Sequence, residues 1–284
     1  MGPFLNRTRE LARLRRAFDA GAPLVTVYGR RRLGKSRLLR EALGERQGVY
    51  FAGDARESHV QRAALAAELG RALPGFGDVS YPDWTTLLSR LYRDAPKGLV
   101  VVLDEFTDIV SAASELPSVL RNHLDTSSGA VTIAISGSSQ SMMHSLVLDS
   151  LQPLFGRSTE LLRLTPMSIG WMARALDVDG AEAAVEAWAV VGGVPRYWEL
   201  FQGRPLWEAV AAQVLDPQGP LNREPERLLR DELTDHRRAA SILTLVGAGC
   251  HRLSEIAGRL GVPAADLSRP IRLLLDVGFL ALEV

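Results

Sequence analysis

Lysine and cysteine are the scarcest reactive residues in this chain of 284 residues. Lys35 and Lys97 are the only lysines, so arginine carries nearly all of the positive charge. Cys250 is the only cysteine, which excludes a disulfide within the chain and is typical of a reducing compartment. One of the two lysines, Lys35, lies where phosphate chemistry requires it.

Long apolar runs are also missing. No segment approaches the roughly 20 apolar residues that a membrane-spanning helix needs. The first ten residues lack the apolar core of a secretory signal, and Glu10 and Asp19 disfavour a transit peptide. We therefore expect a cytoplasmic protein that does not act in a membrane.

The formal net charge is zero, because 33 basic and 33 acidic residues cancel. This balance argues against a protein whose whole surface coats nucleic acid, although a local basic face is compatible with it. The five histidines show no metal-ligand spacing. With 46% hydrophobic and 23% charged residues, the chain is long enough for one large domain and one or two smaller ones.

Short, continuously apolar segments alternate with helical patterns in the first part of the chain. Such segments are typical of strands buried on both faces of a parallel sheet. The predicted strands are 24–28, 49–52, 99–103, 131–135 and 161–164. The sequence therefore predicts an α/β fold with helices on both faces of a parallel sheet. Between about 168 and 233 helices dominate.

The strongest motif is Gly29–Ser36, which satisfies the P-loop pattern G-x-x-x-x-G-K-[ST]. A loop that leaves a buried strand and enters a helix can converge several N–H groups on phosphate oxygens, aided by the helix dipole. Gly29 and Gly34 permit backbone angles that a side chain disfavours. Lys35 would reach the β- and γ-phosphates and Ser36 would ligate magnesium. A chance match is expected in on the order of one in a thousand chains.

A second acidic motif, Asp104-Glu105, follows the third predicted strand. Ligands of open α/β sheets bind at the carboxyl ends of strands. Asp104 is predicted to hold magnesium through a water molecule, and Glu105 to polarise the attacking water. The alternative is a strand that ends in two solvated acids.

Two further candidate catalytic residues follow. Ser138, after the fourth predicted strand, could lie between the two motifs and sense the γ-phosphate; Ser136 and Ser139 are alternatives, and helix capping is the plainer explanation. Arg157, before the fifth strand, could neutralise charge in the transition state of its own subunit or of a neighbour's. A surface arginine is the alternative.

Residues 239–284 form a short helical unit with helices predicted at 239–246, 253–260 and 264–276 and a strand-like end at 279–282. Two helices joined by a Gly-containing turn are the helix-turn-helix signature. Ser268, Arg269 and Arg272 could face duplex DNA. Against this, Pro270 inside a helix costs about 3 kcal/mol unless it lies at a kink or near the start. A protein-binding module is the alternative.

These motifs together resemble a known family. Phe4–Leu11 resembles the adenine-side motif of AAA+ and STAND ATPases, and Tyr28–Ser36 is similar to the arginine-rich P-loop of the archaeal-type ATPases within that superfamily. The resemblance continues, in the family's order, through most of the chain. Its other motifs are Gly137–Ser139, Ser141–Met143, Pro153–Arg157 and Gly192–Pro195.

The resemblance implies a P-loop ATPase core (1–166), a helical lid (167–236) and a winged-helix domain (237–284). Leu5 and Arg7 would lie near the adenine, and Gly193 and Pro195 of the lid would touch the base or ribose. Asn6 stands where the family usually has glycine, a mild change because Asn tolerates left-handed backbone angles. The implied nucleotide-binding loop comprises Gly29, Arg30, Arg31, Arg32, Leu33, Gly34, Lys35, Ser36 and Arg37. Many members continue into a nuclease-like domain, whereas this sequence stops at Val284, so we do not expect a nuclease role.

The predicted function is a magnesium-dependent ATPase that acts as a nucleotide-driven switch. The alternative is an ATP-gated DNA-binding regulator with little hydrolysis, and a P-loop kinase fits less well because of Asp104 and Glu105. The expected cofactors are ATP and magnesium. The expected partners are ATP or ADP, with duplex DNA, a protein partner or further copies of the chain as possibilities.

Overall fold

The computed structural model describes residues 4–126, 131–233 and 235–282. The chain forms two compact units. The first comprises Met1–Ser138 and Met142–Tyr197, and the second comprises Ser139–Ser141 and Trp198–Val284. The boundaries predicted for core, lid and winged helix stay a prediction.

The first unit is built around a five-stranded parallel sheet with the strand order β2-β3-β4-β1-β5. All five predicted strands are present. The central strands β3 and β4 are buried along their whole length, as continuous apolar runs predict. The strands are β1 Leu24–Tyr28, β2 Gly48–Ala52, β3 Leu99–Asp104, β4 Val131–Gly137 and β5 Glu160–Arg163.

Helices connect the strands and cover both faces of the sheet, which confirms the predicted α/β class. Gly44, with a positive φ of 54°, ends α2. The helices are α1 Thr8–Asp19, α2 Lys35–Leu43, α3 Ser58–Gly70, α4 Trp84–Asp94, α5 Phe106–Ala112, α6 Leu116–Thr126, α7 Gln140–Leu148, α8 Ile169–Leu176, α9 Ala181–Val191 and α10 Pro195–Phe201.

Each face of the sheet has its own core. Val100 and Val102 of β3 pack into the cluster formed with α1 and α2, whereas Val101 and Leu103 pack into the cluster formed with α3 to α6. Because side chains alternate along a strand, Asp104 lies on the same face as Val102, toward α2 and the P-loop. The pleat of β3 thus decides which way its terminal carboxylate points.

The second unit is helical and has a separate core around Ile242, Leu267 and Leu274. The three predicted C-terminal helices are present, and α15 continues through Pro270. The helices are α11 Leu206–Val210, followed by the π-helical segment Ala211–Leu215, α12 Glu224–Glu232, α13 His236–Gly247, α14 Leu253–Leu260 and α15 Ala264–Asp276.

The strand-like end predicted at 279–282 is wrong. Gly278 is left-handed (φ 74°), and the Phe279 N–H bonds to the Leu274 carbonyl at 2.8 Å. This six-to-one hydrogen bond after a left-handed glycine is a helix C-cap, so the apolar residues fold back on α15. The described part of this unit, residues 198–233 and 235–282, contains no strand. A wing that would make it a winged helix is therefore not seen there.

No helix in the described part of the chain is both long and apolar enough to cross a membrane.

Candidate functional site

The P-loop runs from the end of β1 to the start of α2 through three residues with positive φ: Gly29 (149°), Arg32 (68°) and Gly34 (89°). A Cβ at Gly29 would lie 2.5 Å from the Leu164 carbonyl oxygen, so only glycine fits there. At Gly34 space is open, and glycine is favoured by the backbone angle alone. Arg32 adopts a left-handed angle without being glycine, which its residue type does not predict.

Lys35 is buried in the turn of its own loop. Its Nζ donates to the carbonyl oxygens of Gly29 at 2.8 Å and Arg30 at 3.2 Å. The ammonium group is thereby held at the N-terminal end of α2, where the helix dipole also favours an anion. Ser36, the next residue, is exposed and so can reach a ligand.

Asp104 is buried at the carboxyl end of β3 and is only 2% exposed. The hydroxyls of Tyr50 and Ser136 both donate to its carboxylate, and the backbone N–H of Glu105 donates to Oδ1 at 3.0 Å. Donors from β2, β4 and the residue after β3 therefore fix the orientation of this carboxylate.

The Tyr50 phenol remains a hydrogen-bond donor across the physiological range. Burial, the negative charge of Asp104 and the hydrogen bond to it raise the pKa of Tyr50 well above its ordinary value. The nearby Ser36 side chain acts in the opposite direction on the same pKa. The phenol thus lies beside both predicted magnesium ligands, Ser36 and Asp104.

Glu105 caps α5 in a left-handed conformation (φ 50°), which turns its side chain back toward β4. One oxygen of its carboxylate accepts hydrogen bonds from the Ser138 N–H at 3.1 Å and the Ser138 hydroxyl at 2.8 Å. The Arg31 Nε donates to the same hydroxyl at 3.3 Å. Ser138 therefore bonds to both the P-loop and the acidic motif.

Asp108 adds a second carboxyl group beside Glu105. Partial burial and the nearby Glu105 carboxylate raise the pKa of Asp108, whereas Arg31 lowers it by a smaller amount. Asp108, in the first turn of α5, thus has a carboxyl group that is poorly solvated and repelled by its neighbour.

The N-terminal motif is folded against the segment that follows β5. Asn6 (φ 57°) and Arg7 (φ 63°) are both left-handed, as the tolerance of Asn for such angles predicts at position 6. Arg7 is buried; its Nη2 donates to the Thr165 carbonyl at 2.6 Å and its Nη1 pairs with Glu10 at 2.9 Å. Leu5 is partly buried just before these residues.

The glycine of the predicted lid motif contacts the same segment. The Met167 N–H donates to the Gly193 carbonyl at 2.9 Å, and a Cβ at Gly193 would lie 2.3 Å from the Met167 carbonyl oxygen. Pro195 begins α10 two residues later. Residues 164–167 therefore contact the P-loop at Gly29, the N-terminal motif at Arg7 and the lid motif at Gly193.

Arginines of the P-loop region stack on aromatic rings. The guanidinium of Arg32 lies over the Tyr197 ring at 5.6 Å from its centroid, and that of Arg37 lies over the Phe4 ring at 5.7 Å. These cation–π contacts link the loop and α2 to α10 and to the N-terminal motif.

Arg157 lies at the opposite edge of the sheet from the P-loop. The Thr159 N–H bonds to the Leu24 carbonyl at 2.9 Å, so this segment adjoins the start of β1, whereas the P-loop follows its end. Arg157 forms a two-pronged ion pair with Asp125, at 2.8 and 2.9 Å. This placement does not fit action within its own subunit, and the partly exposed ion pair fits the alternative of a surface arginine.

The candidate DNA-contacting residues lie in the second unit. Ser268, Arg269 and Arg272 are all exposed on α15, within about one turn of each other.

Sequence reasoning missed Tyr50, Ser136 in its role toward Asp104, and residues 164–167. Tyr50 is paired in register with Val102, two residues before Asp104 and on the same face. The signal for Tyr50 was a polar-tipped side chain on a buried strand, but the register that gives it meaning is not visible in one sequence. Residues 164–167 act through backbone groups, and these carry no sequence signal.

Comparison with known proteins decides the family. A family model described as an ATPase domain predominantly from Archaea matches residues 4–201, well over half of the chain. The chain belongs to this family. The predicted membership of the archaeal-type P-loop ATPase family is thereby confirmed.

The chain is also similar to individual proteins and solved structures. An uncharacterized protein of Methanocaldococcus jannaschii is 26% identical over 98% of the chain, which spans only 62% of that protein's length. A Walker-type ATPase of Pyrococcus abyssi has a similar fold, with a TM-score of 0.72, 21% identity and coverage of 99% of this chain and 91% of that one. The ORC1 protein of Aeropyrum pernix, solved in complex with DNA, gives a TM-score of 0.54 at 16% identity, covering 97% and 84%.

Proposed function

We propose that this archaeal-type ATPase binds ATP with magnesium at Gly29–Arg37 and hydrolyses it to ADP and phosphate. The observation that carries the proposal is the convergence of Lys35, Asp104 and Glu105 at the carboxyl ends of β1 and β3. Ser138 follows β4, the strand between these two, and bonds to both Arg31 and Glu105. Open α/β sheets bind their ligands at this edge.

The oxygen donors at this edge fit magnesium. Magnesium in nucleotide sites takes one or two protein oxygens and completes its shell with phosphates and water. Ser36 offers an exposed hydroxyl, and Asp104 a carboxylate already oriented by three donors. The described residues contain no group of three or more His, Cys, Asp or Glu side chains that could hold a metal ion. Once bound, magnesium would neutralise charge on the β- and γ-phosphates.

Each protein group then has a separate task. The P-loop amides and Lys35 hold the phosphates, because Lys35 can exchange its two carbonyl partners for phosphate oxygens. Glu105 polarises the attacking water, and Ser138 holds the Glu105 carboxylate toward β4. Arg31 of the P-loop donates a hydrogen bond to the Ser138 hydroxyl and so links the P-loop to the Glu105 carboxylate.

Glu105→Gln tests this assignment. The amide keeps the shape of the side chain but cannot take up a proton from water. We expect turnover to fall by about 100-fold or more while ATP affinity stays unchanged. Phosphate release and equilibrium binding of a fluorescent ATP analogue are the two measurements. Undiminished turnover in the variant would remove Glu105 from the mechanism.

The adenine side is proposed to involve Leu5, Arg7, Gly193 and Pro195. Support comes from residues 164–167, which link Arg7 and Gly193 to the P-loop glycine Gly29. A shift of the P-loop on nucleotide binding would move residues 164–167 and, through them, Gly193. We propose this linkage as the route by which nucleotide state acts on the helices after β5, which makes the ATPase a switch.

Arg157 is proposed to act on a neighbouring copy of the chain. Arg157 lies at the amino ends of the strands, away from its own P-loop. Its ion pair with Asp125 is partly exposed, so a negatively charged group of a neighbouring copy could take the place of Asp125. This assignment requires self-association of the chain.

A second candidate function is DNA binding by the second unit. Its support is the exposed set Ser268, Arg269 and Arg272 on α15, together with the fold shared with an ORC1 protein solved in complex with DNA. Binding of a fluorescent DNA duplex should weaken steeply with salt and fall in Arg269→Ala/Arg272→Ala. No binding at low salt would end this candidate. A winged-helix domain and a cytoplasmic location also stay proposals.

A further inference from the structure

Tyr50 occupies an unusual position between the two proposed magnesium ligands. It comes from β2, outside every motif of the P-loop site, yet its hydroxyl donates to Oδ2 of Asp104. Ser36 on the P-loop helix is close enough to lower the pKa of the same hydroxyl. A β2 side chain therefore bonds to Asp104 of the acidic motif and lies near Ser36 of the P-loop motif.

The position follows from the sheet. Tyr50 pairs in register with Val102, and Asp104 lies two residues further along β3 on the same face. A two-residue step along a strand is about 7 Å, which the length of a tyrosine side chain can bridge. Phe51, the next residue, points to the other face and packs in the opposite core.

The Tyr50 ring is also held in place. The guanidinium of Arg40, on α2, lies 3.6 Å from the ring centroid, and the ring packs against the core between the sheet and α2. A fixed ring gives its hydroxyl a defined direction. Tyr50 is thus a rigid donor rather than a mobile side chain that happens to touch Asp104.

The hydrogen bonds that Asp104 makes with the described residues leave one acceptor position of its carboxylate unused. A carboxylate offers about four acceptor positions, two on each oxygen. Oδ1 accepts from Ser136 and from the Glu105 N–H, and Oδ2 accepts from Tyr50. Oδ2 thus keeps one acceptor position that a magnesium-bound water would use. The Tyr50 hydroxyl bonds to the same oxygen and so limits the rotation of the carboxylate.

We propose that Tyr50 is a positioning residue for the metal: it sets the angle at which Asp104 presents Oδ2, and so raises the affinity of the nucleotide site for magnesium. The inference rests on the proposed magnesium site at Ser36 and Asp104. Outer-shell partners of this kind change metal affinity by about 10- to 100-fold when they are removed.

Tyr50→Phe is the direct test, because the ring and its stacking on Arg40 are kept while the hydroxyl is lost. Mn²⁺ serves as the metal probe, and its binding to the protein–ATP complex is titrated by electron paramagnetic resonance. We expect about 10-fold weaker Mn²⁺ binding in Tyr50→Phe. ATP affinity measured in EDTA should stay within about 2-fold, because Lys35 and the P-loop amides do not depend on Tyr50.

Three companion variants make the result interpretable. Asp104→Asn removes the proposed metal partner itself and should weaken Mn²⁺ binding more than Tyr50→Phe does. Ser136→Ala removes one of two donors to Oδ1 and should have a smaller effect. Tyr92→Phe is the matched control, because the Tyr92 hydroxyl is buried in the first unit without a hydrogen-bond partner among the described residues.

The outcomes distinguish the role of Tyr50 from the metal site itself. Normal Mn²⁺ affinity in Tyr50→Phe, with a clear loss in Asp104→Asn, would overturn the role of Tyr50 and leave the metal site intact. Normal affinity in Asp104→Asn would overturn the metal site and the inference together. An equal loss of ATP affinity with and without metal in Tyr50→Phe would show a merely structural role and also overturn the inference.

Discussion

Ser138 donates both its backbone N–H and its hydroxyl to one carboxylate oxygen of Glu105, at 3.1 and 2.8 Å. The hydroxyl is in turn shared with Arg31 of the P-loop. The residue predicted to polarise water is therefore not free to rotate. Its direction is set by the end of β4, and through Arg31 that end is tied to the phosphate-binding loop.

Replacement of Ser138 by Ala should slow catalysis without weakening nucleotide binding. The backbone N–H would still hold Glu105, but the hydroxyl bond to a charged group, about 1.5–3 kcal/mol, would be lost. We expect kcat to fall by about 10-fold with little change in ATP affinity. Ser111→Ala, whose hydroxyl bonds to the Thr107 carbonyl on its own helix, is the control. A loss of ATP affinity as large as the loss of kcat would contradict this role.

Gly34 and Gly98 form a matched pair for the P-loop geometry. Both have φ of 89°, and at both a Cβ would have no neighbouring atom within 4 Å, but Gly98 precedes β3 at the edge away from the P-loop. Alanine at either position should therefore cost about 1–2 kcal/mol of unfolding free energy. Only Gly34→Ala should also weaken ATP binding. Chemical denaturation and nucleotide titration of both variants measure the two effects; equal ATP affinity in the two variants would contradict the assignment.

The stability of the chain should respond to the charge of Asp108. Because burial and Glu105 raise the pKa of Asp108 in the folded state, its contribution is most favourable when it is protonated and is lost as pH rises through that pKa. Asp108→Asn should thus increase the unfolding free energy at pH 7 and have no such effect near pH 3. Urea unfolding at the two pH values measures this. A stabilisation that is equal at both would show that charge is not the cause.

Arg157→Ala should leave ATP binding unchanged and abolish any rise of turnover with protein concentration. If Arg157 acts on a neighbour, turnover per chain in the wild type increases as chains associate, and the variant should be at least about 10-fold slower at high concentration. The Asp125 ion pair is exposed, so its loss should cost little stability. Turnover that is independent of concentration in the wild type would argue against action in trans.

The sequence predicted the sheet and its motifs well, for a physical reason. Strands buried on both faces consist of continuous apolar runs, and residues 99–103 and 131–135 are runs of this kind. The P-loop could also be predicted from the sequence. Leu164 approaches Gly29 so closely that no side chain fits there, and the motif requires glycine at this position. By contrast, the prediction of a strand at residues 279–282 was wrong, since a helix cap after Gly278 also buries apolar groups.

Side-chain partnerships between strands were beyond the sequence. The bond from Tyr50 to Asp104 depends on the register of β2 against β3, and the pairing of Ser136 with Asp104 and Ser138 with Glu105 depends on β4 lying beside β3. Neither strand order nor register is written in a single chain. The placement of Arg157 at the far edge of the sheet likewise follows only once β5 is paired with β1.

Steady-state phosphate release from ATP by the wild-type chain and by Lys35→Ala tests the central claim most directly. The Lys35 ammonium is the buried cation of the P-loop, and a hydrogen bond to a charged group contributes about 1.5–3 kcal/mol, or about 10- to 100-fold in affinity. We predict magnesium-dependent turnover by the wild type, weakened ATP binding by Lys35→Ala and no measurable turnover by that variant. Turnover that persists in Lys35→Ala at the wild-type rate would contradict the assignment of Gly29–Arg37 as the catalytic nucleotide site.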